Sequence, residues 1–249
     1  MIENKKIAIV LPAYNCSATI NKTVADIPYD IVDYLILVDD YSPDDTVKIA
    51  QSVGIDYVIK HEKNLGYGAN QKTCYNKALE INADIIIMLH PDYQYTPKLI
   101  HSMAYIIANG IFPVVFASRI LGGQAIKGGM PLYKYIFNRI LTLFQNTILN
   151  AKLSEYHTGF RAFSREVLES IAFNNNSNDF IFDNQIILQL YNEKYSICEI
   201  TCPVKYDKDS SSISLKKSII YGFGVVSSTL KYILHKLRII RYKILISNQ

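Results

Sequence analysis

No Gly-x-Gly-x-x-Gly follows the first apolar run of this sequence, which removes the phosphate-binding turn of NAD-dependent enzymes. The four cysteines, Cys16, Cys74, Cys198 and Cys202, form no tight Cys-x-x-Cys pair, so a cysteine-built zinc site is not indicated and all four read as free thiols. Uninterrupted hydrophobic runs long enough to span a membrane are missing too. The longest uncharged stretch, between His101 and Arg119, is broken by Asn109, Gly110 and Pro113. The opening MIENKKIAIVLPAYN has too short an apolar core for a secretory leader and runs straight into a strand pattern. Internal repeats and low-complexity tracts are absent, and nothing points to nucleic acid. The expected location is cytoplasmic, with any membrane contact peripheral and on the cytoplasmic face.

What is present fits an α/β protein. The 249 residues are 49% hydrophobic and 19% charged, enough for one large domain or two small ones. A net charge of +4 favours an anionic substrate or membrane surface, or else reflects a solvated basic tail. Strand patterns at Ile7–Leu11, Tyr34–Val38, Tyr57–Lys60, Asp84–Leu89 and Pro113–Ala117 alternate with helical ones near Ala18–Asp26, Asp45–Val53, Ala69–Ile81 and Lys98–Asn109. Such alternation predicts a mostly parallel sheet flanked by helices, with ligands bound beyond the carboxyl ends of the strands. Farther on come a helix at Leu132–Leu149, a polar turn at Ser154–Gly159, a helix from Ser164, a helix at Asn184–Glu193, a strand at Ile197–Pro203 and a polar segment, 207–214.

Each of the five strands is followed by a polar cluster: Pro12-Ala13-Tyr14-Asn15, Asp39-Asp40-Tyr41-Ser42, His61 to Gly68, His90-Pro91-Asp92-Tyr93-Gln94, and Ser118-Arg119. Singly, Asp-Asp is a common turn former or helix cap. Five clusters on five strand ends surround one crevice. There, Asp40 can accept hydrogen bonds from a base or ribose, Tyr14 can cover a base, and Gly66 and Gly68 let a backbone approach a ligand. Asp92 and Gln94 offer oxygens to a hard cation that would neutralise a diphosphate, and Arg119 offers it a forked contact.

These segments resemble the family 2 glycosyltransferases of the GT-A (Rossmann-like) fold, and specifically the dolichyl-phosphate mannose or glucose synthase-like branch. The resemblance runs from about Ile7 to Tyr206 through VLPAYN (10–15), VDDYSPDDT (38–46), NLGYGANQ (64–71), HPDYQ (90–94), ASR (117–119) and HTGFRAFSREVL (157–168). It implies a nucleotide sugar held by Pro12, Tyr14, Val38, Asp40, Asn64, Gly66, His90, Pro91, Asp92, Gln94 and Arg119. It further implies Mg2+ or Mn2+ on Asp92 and Gln94. Lys134 and Asn138 match positions that hold an acceptor phosphate in that branch. Three departures stand out: His90 where the first acid of an Asp-x-Asp is expected, Cys16 at an often acidic position, and Ile213 near an expected lysine, which Lys216 or Lys217 could replace. His90 therefore contacts the cation, hydrogen-bonds the diphosphate or shapes the turn.

The acceptor decides the remaining chemistry. A sugar hydroxyl needs a general base, for which Asp183 is the candidate unless it only caps its helix. A phosphomonoester arrives anionic, and Lys134, Asn138, Arg139 and Arg161 would hold it. The expected reaction is inverting transfer of a hexose-type sugar from a UDP- or GDP-sugar to a polyprenyl (dolichyl or undecaprenyl) phosphate, with Asp92, Asp183 and Arg119 at its centre. Elongation of a surface polysaccharide or lipopolysaccharide glycan at a hydroxyl is the alternative enzyme, and a nucleotide-binding scaffold the non-enzymatic one. The expected organisation is a glycosyltransferase domain over 1–215, with a nucleotide-binding half 1–119 and an acceptor half 120–215, and a basic amphipathic helix over 216–249. In that helix Ile219, Phe223, Val226, Leu230, Ile233, Leu237, Ile240 and Ile244 form an apolar stripe that meets either an anionic membrane surface or a protein surface, a second copy of the chain included.

Overall fold

The computed structural model describes residues 2–206 and 215–246; the polar segment 207–214, Ile213 with it, lies outside the described residues. In chain order the elements are β1 (Ile7–Ala13), α1 (Ile20–Ala25), β2 (Tyr34–Asp39), α2 (Thr46–Ser52), β3 (Tyr57–Lys60), α3 (Tyr67–Glu80), β4 (Ile85–Met88), α4 (Ile100–Ala108) and β5 (Val114–Ser118). They continue with α5 (Leu132–Leu149), β6 (Arg161–Ser164), α6 (Arg165–Ser170), α7 (Phe182–Asn192), β7 (Ile197–Thr201) and α8 (Leu215–Lys236). The seven strands form one sheet in the order β3-β2-β1-β4-β6-β5-β7. Strand β1 is buried along its whole length. Ile7, Ile9 and Leu11 pack into the core on one face, and Ala8 and Val10 into the core on the other. That period-two division of an all-apolar run is what a sheet covered by helices on both faces requires.

Pairing is parallel except at β6, which lies antiparallel between β4 and β5. Two antiparallel steps return β5 to the direction of β4, so β1 to β5 all end at one edge. The sequence reading places a turn and then a helix around Ser164 and misses β6. This strand is only four residues long and opens on a charged residue, Arg161, so its pattern is too short to register.

The outer helices are amphipathic with the polar side inward. On α5 the buried residues are Asn138, Thr142 and Gln145, whereas Leu132, Ile136, Ile140 and Leu143 are exposed, Leu143 at 68%. Gln145 exchanges hydrogen bonds with Asn184 on α7 and donates to Thr229 Oγ1 on α8 at 3.2 Å. Helix α8 buries Val225, Ser228, Thr229 and Tyr232 and leaves Ile219, Ile220, Phe223 and Leu230 exposed, Phe223 at 73%. Of the expected stripe, Ile219, Phe223, Leu230, Leu237 and Ile240 face away from the protein, Val226 and Ile233 are half-buried, and Ile244 is buried.

The single helix expected over 216–249 is also corrected. Helix α8 stops at Lys236, Arg238 takes a left-handed backbone (φ 60°), and a short 3-10 turn at Lys243–Leu245 packs on α7. There Ile244 and Leu245 join Leu188 and Tyr232, and Gln189 Nε2 donates to the Ile244 carbonyl at 2.7 Å. Among the described residues no helix is long and apolar enough to cross a membrane.

Candidate active site

The strand-end loops are laced together by short polar side chains. Ser42 Oγ accepts from Asn15 N at 2.9 Å, Thr46 Oγ1 accepts from Cys16 N at 3.0 Å, and Asn70 Nδ2 donates to the carbonyls of Ala13 and Val38. Thr19 and Thr23 of the α1 region donate to the Pro91 carbonyl at 2.7 and 3.1 Å, pinning the loop after β4. From its other side, Lys205 N donates to the Gln94 carbonyl and Tyr95 bridges to Val204. The loops enclose a cavity of about 1010 Å³, lined by Pro12, Tyr14, Asp40, Asn64, Gly66, His90, Pro91, Asp92, Gln94, Arg119, Lys134, Asn138 and Asp183. All these positions were singled out in the sequence, and they meet in one place.

Three other expected site residues do not line the cavity. Val38 is buried in β2 and offers only its carbonyl, to Asn70. Arg139 turns to the Ser154 carbonyl at 2.6 Å. Arg161, expected at the acceptor phosphate, is 0% exposed and donates to the carbonyls of Thr158, Asp183 and Tyr156. It braces the chain behind the site. The family resemblance implies an acceptor contact for Arg161, but here its guanidinium spends its donors on backbone oxygens.

Two further expectations change in detail. The Asp40 carboxylate accepts from Leu65 N, Gly66 N and His61 Nδ1, at 2.8, 2.9 and 2.8 Å, so it shapes the loop that opens α3. Gly66 and Gly68 admit protein backbone: a Cβ at either would come within 2.5 and 2.3 Å of the Asn178 and Ser177 carbonyls. The segment 177–180, with no signal in sequence, thereby becomes a wall of the cavity.

His90 departs from the expected acid, and the structure places it in a partly buried hydrogen-bonded chain. Its Nε2 lies 3.0 Å from Tyr67 Oη, and Tyr67 donates to Asp183 Oδ2 at 2.7 Å. Asp183 Oδ1 accepts from Gln71 Nε2 at 2.9 Å, with Arg161 Nη1 3.6 Å away. The rings of Tyr67 and His90 stack at 5.5 Å, and a Cβ on Gly159 would meet His90 Nε2 at 2.4 Å, so Gly159 is what makes room for the imidazole. Burial lowers the His90 pKa, which favours the neutral ring. The Tyr67 hydroxyl goes far up, through burial and then the Asp183 charge, and stays protonated.

Arg119 meets a partner the sequence reading did not identify. Glu155, fully buried, accepts from Arg119 Nε at 2.9 Å, from its Nη2, and from its backbone N at 2.9 Å; Asn138 Nδ2 donates to the same carboxylate at 2.9 Å. Burial alone would raise the Glu155 carboxyl, but the Arg119 guanidinium outweighs it and holds the group below its usual range. Arg119 also donates to Tyr206 Oη and to the His157 carbonyl. Lys134 beside it has its pKa lowered, by burial and then by Arg119. His157 and Tyr221 line the same cavity, with Nδ1 and Oη 2.8 Å apart. Both were missed; His157 falls inside the motif HTGFRAFSREVL but carries no role that spacing alone reveals.

A divalent cation fits the loop after β4 as a site completed by substrate. Asp92 and Gln94 line the cavity together, and Gln94 N donates to Asp92 Oδ1 at 3.1 Å. One carboxylate and one carboxamide oxygen suit a hard cation that takes its remaining ligands from water and phosphate. Among the described residues no three His, Cys, Asp or Glu side chains form a self-sufficient metal cluster.

Comparisons with known proteins agree with this geometry. The chain is 26% identical over 238 residues to a UDP-N-acetylglucosamine--dolichyl-phosphate N-acetylglucosaminyltransferase of Methanococcus voltae, covering 89% of this chain and 94% of that one. It is 24% identical to the glycosyltransferase AglD of Haloferax volcanii, over 88% of this chain and 36% of AglD. Among solved structures, glucosyl-3-phosphoglycerate synthase of Mycobacterium tuberculosis, in complex with Mn2+, UDP and phosphoglyceric acid, superposes with a TM-score of 0.72 at 19% identity. That match covers 92% of this chain and 78% of that one, and so shares the fold. The profile of "Glycosyl transferase family 2" matches residues 8–172, from the second residue of β1 through β6, with the loops that carry Asp40, Asp92 and Arg119. With the fold, the strand-end cavity and the family profile in agreement, this chain belongs to glycosyl transferase family 2 and is a glycosyltransferase.

Proposed function

We propose that the enzyme transfers a sugar from a UDP- or GDP-sugar to a polyprenyl phosphate with inversion at the anomeric carbon. In this reaction an acceptor phosphate oxygen forms the new bond to that carbon. The bond to the β-phosphate oxygen of the donor breaks, and the nucleoside diphosphate leaves with the bonding electrons. Asp92 and Gln94 would hold a divalent cation, which offsets the charge of the leaving diphosphate. Lys134 and Asn138 stand at the acceptor side of the cavity, with Arg119 held beside them by Glu155.

The observation that carries this reading is the state of Asp183. Each of its oxygens already accepts a hydrogen bond, from Tyr67 and from Gln71, with Arg161 behind. A carboxylate so engaged is held in place by its neighbours, with one lone pair of each oxygen committed to them. An acceptor that brings its own negative charge needs no general base. The named activity of the Methanococcus voltae relative supports the same acceptor class. The outward apolar residues of α5 and α8, accompanied by the exposed Lys231 and Lys236, suit a peripheral seat on an anionic membrane, where such an acceptor resides.

The test pairs acceptors with one substitution. Wild-type enzyme given UDP- and GDP-sugars and undecaprenyl or dolichyl phosphate should form a lipid-linked sugar, and the free polyprenol should not react. Asp183→Asn should retain most of that transfer. Near-complete loss, or transfer only to saccharides, rejects the phosphate acceptor in favour of a hydroxyl one.

A further inference from the structure

His157 has a feature that nothing above uses. Its Nε2 is buried and makes no hydrogen bond, one of two such side-chain atoms among the described residues. Buried nitrogens without partners are uncommon in folded proteins, because each forfeits its hydration without recompense. The ring is held from its other side, with Nδ1 2.8 Å from Tyr221 Oη on α8. Burial pushes the imidazole down to about 4, so at neutral pH it carries one proton. When the Tyr221 hydroxyl is the donor of this pair, Nδ1 accepts and the ring proton sits on Nε2. His157 lines the cavity with Lys134 and Asn138, and its carbonyl accepts from Arg119. This is the end of the cavity built by α5 and α8.

Resting on the polyprenyl-phosphate reading, we propose that His157 contacts the acceptor: its Nε2–H donates a hydrogen bond to a phosphate oxygen, and Tyr221 fixes the ring that presents it. An N–H donor suits an anion that carries acceptor oxygens only, whereas a neutral hydroxyl asks less of it. The contact also ties acceptor binding to α8, because the same imidazole bridges the phosphate and that helix.

The experiment measures KM for polyprenyl phosphate and for the nucleotide sugar in wild type, His157→Ala, His157→Gln and Tyr221→Phe, with UDP binding by calorimetry alongside. Losing one hydrogen bond to a charged group corresponds to a rise of roughly ten- to hundredfold in acceptor KM for His157→Ala. Nucleotide KM and UDP affinity should stay within about twofold. His157→Gln, which keeps an N–H donor, should recover most of the loss, and Tyr221→Phe should fall between. If His157→Ala does not fold, the Gln and Phe variants carry the same comparison. An unchanged acceptor KM, or a parallel fall in UDP affinity, overturns the assignment while wild-type transfer to lipid phosphate still stands. If wild type makes no lipid-linked sugar at all, the acceptor reading falls first and takes this contact with it.

Discussion

Replacing Glu155 by glutamine tests how the site holds its arginine. Both carboxylate oxygens face donors: Oε1 accepts from Arg119 Nε and Nη2 and from Asn138 Nδ2, and Oε2 accepts from Arg119 N. Whichever way a glutamine amide is turned, its NH2 meets at least one N–H, and the buried guanidinium loses its counter-charge. Breaking one half of a buried ion pair costs about 3–5 kcal/mol. In a chain of this size each kcal/mol lowers the melting temperature by about 2–4 °C, so a drop of roughly 6–20 °C is expected. Calorimetry or denaturant unfolding of Glu155→Gln measures it. The partner variant Arg119→Met and the double variant complete a cycle in which the two costs should be strongly non-additive. A Glu155→Gln loss below about 1 kcal/mol, or additive single costs, would falsify the claim that the pair is a coupled buried unit.

Two more outcomes follow from the geometry. Gly159→Ala should displace His90, part its contact with Tyr67 and lower transfer at least tenfold, by the scale of a misplaced active-site group; in a His90→Ala background the same change should cost little, and equal losses in both backgrounds would refute the steric argument. Phe223→Glu with Leu143→Glu should abolish co-flotation with phosphatidylglycerol vesicles while unfolding stability moves by no more than about 0.5 kcal/mol per site, since both side chains face outward; retained flotation would count against a membrane seat.

Much of the sheet and of the cavity was legible in the sequence for a physical reason. Strands covered on both faces read as unbroken apolar runs, and a parallel sheet collects the ends of those runs at one edge. Helix α5 was read at its observed bounds because its apolar period is strong, but the side it buries was not legible. Periodicity marks two unlike faces without saying which one meets the protein. Arg161 and Val38 were misplaced because sequence does not show how far a side chain lies beneath a surface. Gly66 and Gly68 signalled a close approach correctly, yet the approaching group is the chain at 177–178, more than a hundred residues away. Pairings such as Arg119 with Glu155 and His90 with Tyr67 depend on such long-range closure and leave no local trace.

The amide and hydroxyl contacts of Gln145, Asn184 and Thr229 govern how the outer helices can turn. Oily surfaces alone slide past one another at little cost, and a roll of one residue would swing a helix by about 100°. Matched donors and acceptors tolerate no such roll, because each would lose its partner away from water. The three side chains therefore act as a key that sets the azimuth of α5 and α8. Lys134, Asn138 and Tyr221 then line the cavity while greasy neighbours on the same helices stay turned outward.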